Sequence, residues 1–251
     1  MTALVALAVV GAVLVGWALR TAQRPVHDLP SLDGYFDQWR DLHGGYDPRT
    51  GSSWLRGWLT LVVAVARPLA ARGVQPDVVT VASLWVGALV VLLAEAGGRW
   101  LLLATWLLVL SGLLDNLDGA VAVLQRRTSR WGYVLDSVVD RASDALYLVA
   151  MVLVGAPVEL AAACGFLLFL LEYARARAGN AGGDEVGVVT MAERPTRVIV
   201  LSATLLAAGL LAERAAGLAT AGTAVLAGMT LLAVTQLLVV VRRQLLALPP
   251  D

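Results

Sequence analysis

The amino-acid sequence predicts an all-α, polytopic membrane protein with a core of six transmembrane helices, an amphipathic interfacial helix and an extra N-terminal apolar helix. Of its 251 residues, 59% are hydrophobic and 15% are charged, and the mean hydropathy is +0.75. These values are far more apolar than those of a soluble domain. Apolar runs recur along the chain, and arginines occupy alternate connections between them. Because the formal net charge is zero, no overall field favours nucleic acid as a partner.

The N-terminal residues predict a membrane anchor over 1–20. No charged side chain precedes Arg20, so the basic region that opens a secretory signal is missing. The alternative is an interfacial helix that does not span the bilayer. Residues 21–53 are polar and predict a cytoplasmic linker that lies on the membrane domain.

Residues 54–243 predict the membrane domain, and 244–251 predict a short tail. Tryptophans and arginines over 54–72 are typical of a helix that lies in the headgroup plane. Six apolar runs follow and predict the transmembrane helices, at about 77–94, 100–124, 131–154, 158–173, 196–211 and 218–241.

The distribution of arginines predicts the orientation of these helices. Basic residues concentrate in the connections 126–130 and 174–197 and at both ends of the six-helix unit, whereas the other side holds only Arg99 and Arg214. The positive-inside bias therefore predicts a multi-pass plasma-membrane protein with these connections in the cytoplasm.

Four aspartates within the apolar sequence indicate a functional site. Asp115 and Asp118 are three residues apart on the second span, and Asp136 and Asp140 are four apart on the third. Such spacings place each pair on one helix face. A short connection makes the two helices antiparallel neighbours, so the acidic faces can meet. Intramembrane acids are costly and are functional by default, and carboxylate oxygens suit Mg²⁺ or Mn²⁺.

The two glycines that flank these aspartates, Gly119 and Gly132, would let a phosphate or nucleotide approach the backbone closely. Structural ion pairs are the alternative to a metal site, because arginines lie nearby at positions 126, 127, 130 and 141.

The spacing Asp115-x2-Asp118-Gly119-x2-Ala122-x9-Gly132-x3-Asp136-x3-Asp140 resembles the signature of the CDP-alcohol phosphotransferase family, also named CDP-alcohol phosphatidyltransferase. The resemblance extends over most of residues 54–243. It implies transfer of a substituted phosphate from a CDP-activated donor to a hydroxyl, with release of CMP.

The resemblance also implies roles for individual residues. Asp115, Asp118 and Asp136 correspond to metal ligands, and Asp140 corresponds to a residue that both binds metal and acts as the general base. The implied cofactor is Mg²⁺ or Mn²⁺, with two ions bound. The residues that correspond to the nucleotide site are Asp77, Thr80, Asp118, Gly119, Ala122, Arg126 and Gly132. In this set Arg126 replaces the arginine that the family has directly after Ala122, where this chain has Val123. Arg126 lies three residues beyond Val123 and is expected to approach the same helix face.

A second resemblance concerns the acceptor. Residues 140–144 and 192–197 are similar to segments of the actinobacterial phosphatidylinositol-phosphate synthases, where basic residues hold the acceptor's phosphate. The corresponding arginines are Arg141, Arg175, Arg194 and Arg197. The alternative is that these charges only set the membrane topology.

The sequence therefore predicts an integral membrane transferase of phospholipid biosynthesis. Its expected partners are membrane lipids, a CDP-activated lipid donor, CDP-diacylglycerol in the favoured version, and a small polar or phosphorylated alcohol such as inositol phosphate or glycerol phosphate. The resemblance implies a homodimer. Three alternatives stay open: a transferase that uses a soluble CDP-alcohol, a transporter that uses the acids as a cation pathway, and a scaffold of weak activity, prompted by Val123.

Overall fold

The computed structural model describes residues 2–21, 25–42, 45–50, 52–182 and 190–247. Within these ranges all regular structure is helical, which confirms the predicted all-α class. A single 3₁₀ turn, Ala212–Arg214, precedes the last helix. The α-helices are α1 Thr2–Thr21, α2 Leu32–Leu42, α3 Ser53–Ala71, α4 Pro76–Ala96, α5 Trp100–Leu124, α6 Arg130–Val154, α7 Val158–Asn180, α8 Arg194–Leu210 and α9 Ala215–Leu246.

Three helical segments of the described chain are long and apolar enough to cross a membrane: Pro76–Ala96, Trp100–Leu124 and Ala212–Leu246. Helices also form at the other three predicted spans, as α6, α7 and α8. However, α6 carries several charged residues and α8 has only 17 residues, fewer than the roughly 20 that a bilayer requires. A polytopic membrane protein is thus confirmed, and the number of six spans stays a prediction.

The chain divides into two compact units. The first comprises Met1–Val86 and Leu110–Ser143, and the second comprises Gly87–Val109 and Asp144–Asp251. The predicted tail lies partly outside the described residues, which end at position 247.

The core of the first unit forms around α3. One face of this helix is buried, through Leu59, Val62, Val63, Ala66 and Ala70, and packs with residues of α2, α4 and α5. The opposite face exposes apolar side chains, with Trp54 60% and Leu61 52% exposed. A helix therefore forms over the range predicted for the amphipathic helix. Its position in the headgroup plane stays a prediction, which its two apolar faces suit.

The predicted linker contains a helix that the sequence analysis missed. Tyr35 and Phe36 of α2 are each 3% exposed and belong to the core of the first unit. The apolar residues of α2 recur at positions 32, 35, 36, 39 and 42, the spacing of one helix face, and this signal was masked by the many acidic residues between them. Predicted linker residues 22–24, 43, 44 and 51 lie outside the described ranges.

The second unit has its own apolar core, built from the parts of α4, α5 and α6 that belong to it together with α7, α8 and α9. Small residues allow close helix packing here: a Cβ added to Gly222 would lie 2.1 Å from Thr204 Oγ1. Helix α7 continues past the predicted fourth span, from residue 173 to Asn180, and carries Arg175 and Arg177 on its last turns.

Candidate active site

Three of the four predicted aspartates come together in the first unit. Carboxylate oxygens of Asp115, Asp136 and Asp140 all lie within 4.8 Å of one another, and the three side chains are half-buried. Asp115 is on α5, and the other two are one turn apart on α6. The antiparallel arrangement that the short connection predicts therefore does bring the acidic faces of α5 and α6 together.

Asp118 is held differently from the other three aspartates. It is only 5% exposed, and both of its oxygens accept hydrogen bonds from the protein. Thr80 Oγ1 donates to Asp118 Oδ2 at 2.5 Å, and the Gly119 amide donates to Oδ1 at 2.5 Å. Thr80 thus orients Asp118 from α4, and Asp118 is not one of the three aspartates whose oxygens cluster.

These acids border a cavity of about 1030 Å³ in the first unit. Asp115 and Asp136 line it. Of the predicted nucleotide-site residues, all but one line it as well: Asp77, Thr80, Asp118, Gly119, Ala122 and Gly132. A Cβ added to Gly119 would meet no atom within 4 Å, so the backbone of α5 faces open space at this point. The cavity therefore offers a phosphate group direct access to the helix backbone.

The exception is Arg126, whose predicted placement rests on a premise that the structure contradicts. Arg126 was expected to share a helix face with Val123, but α5 ends at Leu124 and Arg126 has φ of 55°. The residue is exposed and does not line the cavity. Val123 itself is 6% exposed and packs in the apolar core.

Arg127, rather than Arg126, is the arginine directly after α5 that reaches the cavity. It lines the cavity, and its Nη1 atom is buried without a hydrogen-bond partner in the described part of the chain. Buried guanidinium donors are ordinarily satisfied, so this atom points to a ligand. Arg130 also lines the cavity.

The connection between α5 and α6 is anchored at both ends. Gln125 Nε2 donates to the carbonyls of Ala70, at 3.2 Å, and Val74, at 2.9 Å, which fixes the end of α5 against α3. Ser129 Oγ accepts a hydrogen bond from the Gly132 amide at 2.9 Å, as an N-cap does. These contacts position the arginines and Gly132 at the cavity.

The residues present fit a divalent metal ion. Three carboxylates offer hard oxygen donors within the mutual distance that one or two ions can bridge, and such donors suit Mg²⁺ and Mn²⁺. An ion pair is also present at this group, since Arg141 Nη2 lies 3.5 Å from Asp140 Oδ2. An arginine next to one member of the group reduces the repulsion among the acids.

The second unit holds a separate group of arginines and acids. Arg197 is 1% exposed and donates to Asp144 Oδ2 at 2.8 Å, to Glu172 Oε1 at 2.6 Å and to the Ala192 carbonyl at 2.7 Å. Asp144 is thus paired with arginine.

The two other predicted acceptor arginines of this unit also have acidic neighbours. Arg175 pairs with Glu193 at 2.7 Å and with Glu172 at 3.3 Å. Arg194 Nη1 lies 4.0 Å from Asp144 Oδ1. The structure therefore brings Arg175, Arg194 and Arg197 into one network, and it places Arg141 in the first unit beside Asp140.

The sequence analysis missed the cavity residues of α2 and those of the α5–α6 connection, which include Arg127. Tyr35, Trp39 and Leu42 of α2 line the cavity. The helical spacing of their apolar residues is the signal that could have found them. No comparable signal distinguishes Arg127 from Arg126, because the choice depends on where α5 ends.

Comparison with known proteins adds independent evidence. The profile of the CDP-alcohol phosphatidyltransferase family matches residues 73–242. The chain is 35% identical over 150 residues to a phosphatidylinositol phosphate synthase of Cutibacterium acnes, covering 55% of this chain and 70% of that protein. It is 33% identical over 142 residues to an archaetidylinositol phosphate synthase of Pyrococcus horikoshii, covering 55% and 72%.

Solved structures of Mycobacterium tuberculosis phosphatidylinositol phosphate synthase also resemble the chain. The complex with CDP-DAG has a TM-score of 0.59 and 26% identity, and the match covers 72% of this chain and 94% of that one. The complex with manganese and citrate has a TM-score of 0.60 and 25% identity, and the match covers 76% and 93%.

Proposed function

The chain belongs to the CDP-alcohol phosphatidyltransferase family, and on that basis we propose how its residues carry out the transfer. It is a membrane transferase of phospholipid biosynthesis that moves a phosphatidyl group from a CDP-activated lipid to an alcohol and releases CMP. The assignment to residues depends on the cluster of Asp115, Asp136 and Asp140, whose oxygens lie within 4.8 Å of one another. Asp115 and Asp136 of this cluster line the large cavity. The proposed donor is CDP-diacylglycerol, because a structure of the mycobacterial synthase contains CDP-DAG. The proposed acceptor is inositol phosphate, because the similar proteins are named phosphatidylinositol phosphate synthases.

Asp115, Asp136 and Asp140 are the proposed ligands of two divalent ions, Mg²⁺ or Mn²⁺, with Asp118 as the fourth carboxylate. Support comes from the donor set and from the manganese complex of the mycobacterial synthase. Bound ions would neutralise phosphate charge and hold the attacking and leaving oxygens in line. Asp118 would join them through an oxygen that now accepts from Thr80 or Gly119.

Asp140 is the proposed general base. It takes the proton from the acceptor hydroxyl as that oxygen forms a bond to the phosphorus that carries diacylglycerol. The bond from this phosphorus to the oxygen shared with CMP breaks, and CMP leaves with the electron pair. Arg141 Nη2 lies 3.5 Å from Asp140 Oδ2, so an arginine stands beside the proposed base.

Asp140→Asn should lower the rate of CMP release by roughly 100-fold or more, because an amide cannot accept the proton. The assay uses the purified protein with CDP-diacylglycerol, inositol phosphate and Mg²⁺. Asp41→Asn, at a surface position of α2 with the side chain 73% exposed, is the matched control and should leave the rate unchanged. EDTA should abolish release from the unsubstituted protein, and Mg²⁺ or Mn²⁺ should restore it. Full activity in excess EDTA would exclude the metal site, and near-normal turnover of Asp140→Asn would require another base.

Arg127 is the proposed contact for the donor's phosphates, in place of the family arginine that Val123 replaces. Arg127 lines the cavity together with Asp115, Asp118 and Gly119, and its buried Nη1 has no partner among the described residues. A guanidinium matches phosphate oxygens in both charge and geometry.

Arg127→Gln should raise the KM for CDP-diacylglycerol by roughly 10- to 100-fold, the worth of a hydrogen bond to a charged group of about 1.5–3 kcal/mol. Arg126→Gln is the matched control, because Arg126 is the adjacent arginine and lies outside the cavity. It should change the KM little. A larger increase of this KM in Arg126→Gln than in Arg127→Gln would instead assign the contact to Arg126, as the sequence predicts.

The acceptor phosphate is assigned to the arginines that the family resemblance indicates, Arg141, Arg175, Arg194 and Arg197. Among them Arg194 has the most favourable setting, since it is the first residue of α8 and the positive end of a helix favours anions. Arg197 is 1% exposed and already donates to two carboxylates, so its proposed part is to hold Asp144 and Glu172 in place.

Arg194→Gln should raise the KM for inositol phosphate by roughly 10-fold or more, without a matching rise in the KM for CDP-diacylglycerol. The kinetics are measured with each substrate varied at a saturating level of the other. Arg177→Gln is the control, because this exposed arginine of α7 carries the same topological charge. If Arg194→Gln and Arg177→Gln changed the KM for inositol phosphate equally, Arg194 would serve only to set the membrane topology.

The active face is proposed to lie in the cytoplasm, and the protein is proposed to act in the plasma membrane as a homodimer. The excess of arginine in the 126–130 connection supports the orientation, and the dimer rests on the family resemblance.

A cysteine at exposed Thr128, in a Cys164→Ala background, should react on intact cells only with a membrane-permeant thiol reagent. Permeabilised cells provide the control, because the same cysteine should then react with an impermeant reagent. Labelling of intact cells by the impermeant reagent would place this connection outside.

A further inference from the structure

Helix α2 lies outside the part of the chain that the family profile matches. The profile begins at residue 73, whereas α2 covers Leu32–Leu42. Nevertheless α2 is built into the first unit, because Tyr35 and Phe36 are each 3% exposed and pack in the same apolar cluster as Leu59 and Val121.

Polar contacts fix the N-terminal segment around α2. Arg49 Nη2 donates to Asp37 Oδ1 at 2.6 Å, and Arg67 of α3 donates to the Pro30 carbonyl. The Val26 amide donates to the Ala71 carbonyl at 3.2 Å. The helix is therefore held on both sides and has a defined position in the unit.

One face of α2 forms a wall of the cavity that contains the aspartates. Tyr35, Trp39 and Leu42 line this cavity together with Asp77 and Gly119. An aromatic wall and a polar wall thus face the same space, and the aromatic one comes from a segment that the family profile does not include.

Tyr35 contributes a hydroxyl to this aromatic wall. Its side chain is 3% exposed and lines the cavity. Burial raises the pKa of Tyr35 to about 12, so the phenol stays neutral and keeps its proton to donate. Buried tyrosine hydroxyls usually have a partner, and the cavity is where a ligand could supply one.

We propose that α2 is a nucleoside-recognition wall, in which the Trp39 ring packs against the cytosine base of the donor and the Tyr35 hydroxyl donates a hydrogen bond to the nucleoside. This inference rests on the proposed function, which places a CDP-activated lipid in the cavity. It extends that function by adding a specificity element from outside the family-matched region.

The lining of the cavity favours the nucleoside over an acyl chain as the occupant beside α2. Gln75, Asp77 and Asn116 line the cavity with the aromatic residues. Desolvating such groups against an acyl chain is costly, whereas a base and ribose can form hydrogen bonds with them. A planar base also stacks on an aromatic ring, which is worth roughly a 5- to 150-fold change in affinity per base.

The test measures CMP affinity by calorimetry on the purified full-length protein in detergent with Mg²⁺. Tyr35→Phe removes only the hydroxyl and should weaken CMP binding roughly two- to tenfold. Trp39→Leu should weaken it roughly fivefold or more. Tyr173→Phe and Trp54→Leu are matched controls at exposed positions outside the cavity, and both should bind CMP normally.

Inhibition by dioctanoyl phosphatidic acid, which carries only the lipid end of the donor, separates the possible occupants. The α2 variants should leave this inhibition unchanged. Unchanged CMP affinity in both variants would overturn the proposal, and so would a loss of phosphatidic acid inhibition without a loss of CMP binding. Should Trp39→Leu lose its thermal transition, Tyr35→Phe decides alone, since it keeps the ring that packs. Failure of the unsubstituted protein to bind CMP and to release it from CDP-diacylglycerol would instead refute the proposed function.

Discussion

The repulsion among carboxylates inside apolar helices is the constraint on which the arrangement of the first unit depends. Asp115, Asp136 and Asp140 place their oxygens within 4.8 Å of one another, on the neighbouring helices α5 and α6. Negative charges at such distances repel strongly in a low dielectric, so the arrangement requires cations or dipoles close by. Thr80 and the Gly119 amide donate hydrogen bonds to Asp118, and Arg141 forms an ion pair with Asp140. A divalent ion bound as proposed would neutralise the clustered carboxylates further, so the feature that is costly for folding would also serve the transfer.

The end of α5, the start of α6 and helix α2 shape the cavity around the aspartates. Gln125 ties the end of α5 to the carbonyls of Ala70 and Val74, and Ser129 caps α6. Helix α5 ends at Leu124, two residues before Arg126. Arg126 is therefore exposed, whereas Arg127 lines the cavity. Helix α2 then closes one side with aromatic rings. A family site is thereby combined with a wall that belongs to this chain's own N-terminal segment.

In the second unit, arginines and acids balance each other within a compact network. Arg197 is buried and satisfied by Asp144, Glu172 and a backbone carbonyl, and Arg175 bridges Glu172 and Glu193. Removing one member of such a network leaves an uncompensated buried charge, which is more costly than the pair is stabilising. The network therefore holds the start of α8, where Arg194 lies, in a defined position. Positive charge near a helix N-terminus can serve an anionic substrate while the rest of the network keeps the helix in place.

The sequence by itself determined the helical class, the membrane character and the pairing of the acidic faces. Apolar runs and the spacing of Asp136 and Asp140 on one helix face are local properties that follow from helix geometry. Only the tertiary structure decided which arginine reaches the cavity, because the choice between Arg126 and Arg127 depends on how Gln125 and the end of α5 pack against α3. It likewise decided that α2 packs into the core, because docking depends on apolar partners on α3 and α5 that are distant in the chain. Local spacing specifies helices and their faces, whereas contacts between distant segments determine where a helix ends and what it covers.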